Sequence, residues 1–300
     1  MADADIEVIR SLLAAHPRPA NLLERRSRLD ALGAQYPLPT DVRVEPAVMN
    51  GVAAEWTTTP EADPACVILF LHGGGYISGS IASHRHMVAQ AGRAARARTL
   101  ALGYRLAPEH PFPAALEDAL AGYRFLLAQG FGPERIALAG ESAGGGLALA
   151  MMTALRDAGE SLPACAWLSS PWVDLTLSGG TIETKAAVDP LLSKAYLDEL
   201  ARAYLDGVGP RNPLASPLYA DLRGLPPLLI LVGSAEILLD DAVRLAGAAG
   251  AADVRVRLEV WPDMIHAWTL FYQQVAAGRR ALAEVGAFIR AHLGCEPKES

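Results

Sequence analysis

The chain has 300 residues, enough for one large α/β domain or two smaller ones. Hydrophobic residues make up 51 %, so a sizeable core can be buried, and the net charge of −7 argues against nucleic acid or an anionic membrane as main partner. No segment approaches the ~20 consecutive apolar residues of a membrane span.

In chain order, the opening stretch MADADIEVIRSLLAAHPRPA carries acids where a signal peptide carries Lys or Arg. Two short helical patterns fill 6–36, separated by His16-Pro17-Arg18-Pro19. The basic run Arg25-Arg26-Ser27-Arg28, like Arg93 to Arg98, reads as a solvated helix face. Two modest strands are expected at 42–57, with a turn at Asn50-Gly51. CVILFLH at 66–72 is a continuous apolar run, the pattern of a strand covered on both faces, and it ends in three glycines. His84-Arg85-His86 falls on a helix start, where side chains two apart do not share a face, which speaks against a metal site.

RTLALGY at 98–104 reads as a further strand. A helix over 113–129 follows, with Leu116, Leu120, Tyr123 and Leu127 on one stripe, proline at its start and Gly130 beyond its end. Strand 135–139 leads to a helix at 142–158, strand 164–169 to a less regular region, and strand 228–232 to a helix at 237–250. VRVRLEV at 254–260 alternates, placing Val254, Val256, Leu258 and Val260 on one face, and a last helix covers 277–293. Strands alternating with helices imply right-handed crossovers and a mostly parallel sheet. The segment 180–212 interrupts this rhythm with its own helix at 191–205, which predicts an insertion over the sheet: one domain with a lid, rather than two domains. Cys66, Cys165 and Cys295 show no short spacing and read as two small buried hydrophobes and a tail thiol, in keeping with a reducing cytoplasm.

Gly140-Glu141-Ser142-Ala143-Gly144 lies between a strand and a helix. In Gly-x-Ser-x-Gly the missing glycine side chains permit a sharp turn that lifts the hydroxyl to the carboxyl edge of the sheet. The helix behind it points free N–H groups and a positive dipole end at the site. A glycine-rich turn whose serine merely caps the helix is the competing reading. A nucleophilic serine needs a base and an orienting acid, in this fold in the order Ser, acid, His. Of the seven histidines only His266 and His292 follow Ser142. His292 lies in the terminal helix and reads as a surface residue, whereas His266 sits just beyond the last strand. The acid should also leave a strand end, which favours Glu236, four residues past Val232, with Asp240 second. Asp263 belongs to the loop of His266 itself and is poorly placed to lie behind the imidazole. For the oxyanion, His72-Gly73-Gly74-Gly75-Tyr76 offers successive unhindered amides that pair with the N–H of Ala143. The glycine triplet lacks the ending of a P-loop and the spacing of a dinucleotide fingerprint.

Together HGGGY at 72–76, YRLAPEHPFPAALEDA at 104–119, SPWVDLT at 170–176, DPLLS at 189–193, GSAEILLDD at 233–241 and DMIHAW at 263–268 join GESAGG at 140–145. On these motifs the chain resembles the bacterial hormone-sensitive-lipase-like (family IV) esterases of the α/β-hydrolase fold. The resemblance implies an eight-stranded, mostly parallel sheet with helices on both faces, and a helical cap from about 1–40 and 180–212. It implies Ser142 as nucleophile, His266 as base and Glu236 as acid, with Gly74, Gly75 and Ala143 as oxyanion donors. His72 and Gly73 support the glycine loop, and Tyr104, Arg105, Pro108 and Glu109 buttress the site. The family usually has Asp at 141 and at 236; this chain has Glu at both, with Glu141 expected to be supportive.

The expected activity is hydrolysis of short- to medium-chain acyl esters without metal or organic cofactor, with lactones open to the same chemistry. A homodimer through the final strand or helix is a further expectation. A peptidase and a non-catalytic ligand-binding protein of this fold are the rivals. The second is disfavoured because serine, acid and histidine are all present.

Overall fold

The structure is a computed structural model and describes residues 4–294. Two helices, α1 (Ala4–Ala15) and α2 (Leu22–Ala34), precede a hairpin of β1 (Arg43–Met49) and β2 (Val52–Thr58). Alternation begins at β3 (Asp63–Leu71) and continues through α3 (Ile81–Ala95), β4 (Ala97–Gly103), α4 (Ala114–Ala128), β5 (Ile136–Glu141), α5 (Ala143–Asp157) and β6 (Cys165–Ser169). It breaks over α6 (Thr181–Thr184) and α7 (Lys194–Leu205). It resumes with β7 (Leu228–Gly233), α8 (Leu239–Ala251), β8 (Val256–Trp261) and α9 (Ala276–Leu293). Among the described residues the eight strands form one sheet, in the order β1-β2-β4-β3-β5-β6-β7-β8. Only β2 runs against its neighbours; from β4 to β8 every pairing is parallel. The fold is that of an α/β hydrolase.

The apolar run of β3 is continuous because both of its faces are covered. Successive side chains point to opposite faces, so Val67, Leu69 and Leu71 join one core with Leu116 of α4, Leu147 of α5 and Leu245 of α8. Cys66, Ile68 and Phe70 join the other with Met87 of α3 and Leu282 and Ile289 of α9. At the hairpin, Asn50 and Gly51 take positive φ angles of 49° and 89°, the twist that a two-residue turn needs.

β8 lies at the sheet edge, and Val260, one of its alternating residues, stays 44 % exposed. Two expectations are corrected. Cys165 is a free buried thiol whose pKa burial pushes up to about 12, but Cys66 is disulfide-bonded and therefore not a reduced hydrophobe. Cys295 lies outside the described residues. The run Arg25 to Arg28 is not a solvated face either. Arg25 pairs with Glu199 of α7 at 2.7 Å, and Arg28 reaches the carbonyls of His16 and Pro17. Arg26 donates to Ile77 O at 2.7 Å and Ala107 O at 3.0 Å, and grips Glu109 with two bonds. The run looks polar in sequence because the carbonyls that absorb its charge come from distant segments. Among the described residues no helix is long and apolar enough to cross a membrane.

Candidate active site

β5 ends in Glu141 and α5 begins at Ala143, leaving Ser142 as the single residue of the turn. Its φ of 54° and ψ of −120° lie outside the comfortable regions for a residue with a side chain. Such strain persists only where the surroundings enforce it. Here Ser142 N–H donates to Ser169 O at 2.8 Å, and its carbonyl accepts from Gly145 and Trp172 at 2.9 and 3.0 Å. The flanking glycines are steric necessities. A Cβ on Gly140 would stand 2.1 Å from Gly144 O, and one on Gly144 would stand 2.1 Å from Leu71 O.

The turn brings Ser142 Oγ to 2.9 Å from Nε2 of His266, and Nδ1 of the same ring lies 2.7 Å from Glu236 Oε2. Glu236 is 0 % exposed, His266 5 % and Ser142 6 %. Glu236 leaves the end of β7 and folds back, so that its Oε1 accepts the Gly233 amide at 2.6 Å and the Ser170 hydroxyl at 2.8 Å. The His266 loop is fastened to the same strand end: Ala235 N–H donates to Met264 O at 3.0 Å, and Asp263 N–H to Ser234 Oγ at 2.8 Å. Burial disfavours the imidazolium, but the bonded Glu236 carboxylate outweighs it, with help from Glu141 and Asp189. The net effect raises the His266 pKa to about 9.

The glycine loop follows β3. His72 is buried, and burial together with neighbouring His84 pushes its pKa down to about 3, so the ring is neutral. Its Nδ1–H donates to Gly73 O at 2.8 Å, and Tyr104 stacks on it at 4.1 Å while its hydroxyl donates to His72 O at 2.6 Å. A trans peptide carries its N–H opposite its carbonyl. Fixing Gly73 O on His72 therefore turns the Gly74 amide away from that ring. Gly74 O accepts from Ser78 Oγ at 2.8 Å, which turns the Gly75 amide in the same manner. Gly74 and Gly75 have φ of 111° and 65°, conformations that favour glycine. Among the described residues the amides of Gly74, Gly75 and Ala143 have no hydrogen-bond acceptor.

Asp240 is not at His266. Glu236 precedes α8, whereas Asp240 sits in its first turn, where its carboxylate accepts the Gly180 amide at 2.7 Å. Asp263 and His292 are also away from the ring; His292, half-buried, donates from Nδ1 to Phe288 O at 2.8 Å. Glu141 meets His84 Nε2 at 3.0 Å. Arg105 pairs with Glu117 and Asp118, each at 2.8 Å, bracing the start of α4. Sequence reasoning missed Ser170 and His84. Ser170 stands one residue past β6, at the same strand-end level as Ser142, and that position was its only signal. Among the described residues no group of three or more His, Cys, Asp or Glu is placed to hold a metal ion.

Comparison with known proteins identifies the family. Residues 68–270 match the α/β-hydrolase fold family. An acetyl-hydrolase of Streptomyces hygroscopicus is 46 % identical over 300 residues, covering 98 % of this chain and 99 % of its own. A crystal structure of an esterase from the bacterial hormone-sensitive lipase family is 48 % identical, with a TM-score of 0.93 over 97 % of this chain and 98 % of that one. A structure of the esterase EstE5 soaked with p-nitrophenyl butyrate is 42 % identical, with a TM-score of 0.94 over 98 % of this chain and 100 % of that one. The chain belongs to the α/β hydrolases and, within them, to the bacterial hormone-sensitive-lipase-like esterases. It is a carboxylesterase.

Proposed function

We propose that this carboxylesterase works through a Ser142–His266–Glu236 triad and an acyl-enzyme, on short- to medium-chain acyl esters. The observation that carries the reading is the unbroken line from Ser142 Oγ through both nitrogens of His266 to Glu236, at 2.9 and 2.7 Å. His266 takes the Ser142 proton as Oγ attacks the ester carbonyl, and the imidazolium is held against the Glu236 carboxylate. The oxyanion is received by the amides of Gly74, Gly75 and Ala143, each worth roughly 2.7–4 kcal/mol in comparable sites. His266 then gives its proton to the departing alcohol. Water, activated by the same ring, releases the acid and restores Ser142. Every proton and charge in this sequence has a group of the chain to take it, so no cofactor is called for.

The one-domain arrangement with a cap from about 1–40 and 180–212 belongs to this proposal. Arg10 of α1 donates to Val188 O at 2.8 Å and to Asp263 O at 3.1 Å, tying the N-terminus to both the 180–212 segment and the His266 loop. Leu200 of α7 is packed where a side chain on Gly75 would stand, 2.4 Å from its Cβ position. A layer this close to the oxyanion donors favours small acyl groups, in line with a relative named acetyl-hydrolase.

Hydrolysis of p-nitrophenyl esters from acetyl to palmitoyl, by wild type and Ser142→Ala in parallel, tests both parts. The expected result is fastest turnover on the short esters and none above background in the variant. Wild-type rates in the variant contradict the nucleophile, and fastest turnover on palmitate contradicts the chain-length reading.

A further inference from the structure

The reaction above engages one carboxylate, Glu236, at Nδ1 of His266. A second approaches the other nitrogen: Glu141 Oε1 is 3.6 Å from His266 Nε2, the same atom that meets Ser142 Oγ. Its Oε2 is 3.0 Å from Nε2 of His84 on α3, and Glu141 and His84 are both 3 % exposed. The backbone of Glu141 is fixed by pairing with Ser169 in the sheet, one residue before the nucleophile. His84 Nδ1 is 2.8 Å from Ser83 Oγ. Ser83 Oγ donates to Ser80 O at 2.9 Å, and the Gly73 amide approaches His84 Nε2 at 3.3 Å, so the ring nitrogen that meets Glu141 also faces the glycine loop. With Oε2 at His84, Glu141 turns Oε1 toward His266.

We propose that Glu141, anchored by His84, is a positioning residue that holds the His266 imidazolium from the Nε2 side while Glu236 holds it from the Nδ1 side. The proposal rests on the triad reading. An opposite charge within about 4–6 Å stabilises a charged group, typically by one to three pKa units. Both acylation and deacylation pass through the imidazolium, so Glu141 acts in each. The groups facing His266 are Glu236 from the loop after β7, Asp189 from the 180–212 segment, and Glu141 from β5. Those facing Glu141 are His266 and His84, with Tyr104 nearby and His72 beyond His84. The bland alternative is a brace. Glu141 also packs on the glycine loop, its Oε2 lying 1.9 Å from the position of a Cβ on Gly73. The two roles differ only in whether charge matters.

The test is the pH profile of kcat and KM on p-nitrophenyl acetate for wild type, Glu141→Gln and Glu141→Asp. Loss of the charge should move the rising limb of kcat/KM down by about one pH unit. The high-pH plateau should fall by up to about tenfold, the same free energy expressed as rate, with KM little changed. Glu141→Asp keeps the charge and should recover most of the shift. If Glu141→Gln does not fold, Glu141→Thr, neutral and suited to a strand end, carries the same expectation. A folded neutral variant whose limb stays at the wild-type position overturns the proposal and leaves Glu141 a brace. Ser142→Ala separates the two readings: full activity there defeats the triad itself, whatever the Glu141 profiles show.

Discussion

At the carboxyl ends of β5, β6 and β7 the loops are tied by buried backbone bonds. Ser142 N–H meets Ser169 O at 2.8 Å, Ser170 N–H meets Leu231 O at 2.7 Å, and Ser234 N–H meets Trp261 O at 2.9 Å. The N-terminal helices and the 180–212 segment are joined by other means. Arg10 and Arg18 reach the carbonyls of Val188 and Leu191, Arg25 pairs with Glu199, and Arg18 lies 3.3 Å over the ring of Tyr196. Sheet-end bonds cannot break singly without disturbing a packed core, whereas a side-chain bond between two covering segments can let go and be replaced by water. On the proposed triad and cap, the chemistry sits on the first kind of attachment and the covering layer on the second. Changes at the sheet edge should therefore stop the reaction, while changes among the arginines should only loosen it.

The largest departure is expected from Glu236→Gln. The amide cannot hold an imidazolium as a carboxylate does, and in related triads this kind of change lowers kcat on the order of 10⁴-fold. Steady-state kinetics with unchanged thermal stability would place that loss in the reaction and not in the fold. A fall of only a few-fold would remove the distinction between the two kinds of attachment.

Next in size is the pH dependence. In the proposed mechanism catalysis needs neutral His266, whose pKa is raised to about 9, above the usual 6.5. The rate of p-nitrophenyl acetate hydrolysis should therefore climb through neutral pH and level off only in the alkaline range. The same shift stabilises the folded state fully below about pH 6.5 and progressively less as pH rises through about 9. A profile that levels off below pH 6.5 would contradict the electrostatic setting drawn for the ring.

The smallest effect belongs to Arg26→Ala. Its loss unties α2 from Ile77 O and Ala107 O near the glycine loop. We expect a stability loss of about 2 kcal/mol, typical of hydrogen bonds to a charged group, seen as a melting temperature lower by several degrees. The rate should fall only a few-fold. A loss as large as that of Glu236→Gln would show that the covering layer is as rigid as the sheet edge.

The parts of the site that were legible in the sequence share one property: each is announced locally. The continuous run of β3, the glycines around Ser142 and the three glycines after His72 are patterns within a dozen residues, and His266 follows from order along the chain. The unread parts are pairings between distant residues. His84 and Glu141 are 57 residues apart, Ser170 and Glu236 are 66 apart, and Arg26 and Ile77 are 51 apart. No periodicity marks such partners, because hydrogen-bond geometry depends on where the sheet brings the strand ends. Between Glu236 and Asp240 the sequence left a choice that one turn of helix decides: α8 starts at Leu239, so only the earlier acid is free to fold back to the ring. Val260 shows the converse, since strict alternation predicts a buried face only where a neighbour covers it.

The central claim is that Ser142 carries the acyl group. The most direct measurement is to mix the enzyme with p-nitrophenyl acetate, quench in acid within the first turnovers, and map the modified peptide by mass spectrometry. The account predicts one acetyl group on the peptide containing Ser142, and no such adduct in Ser142→Ala. An acetyl group on another side chain, turning over at the rate of the reaction, would contradict it.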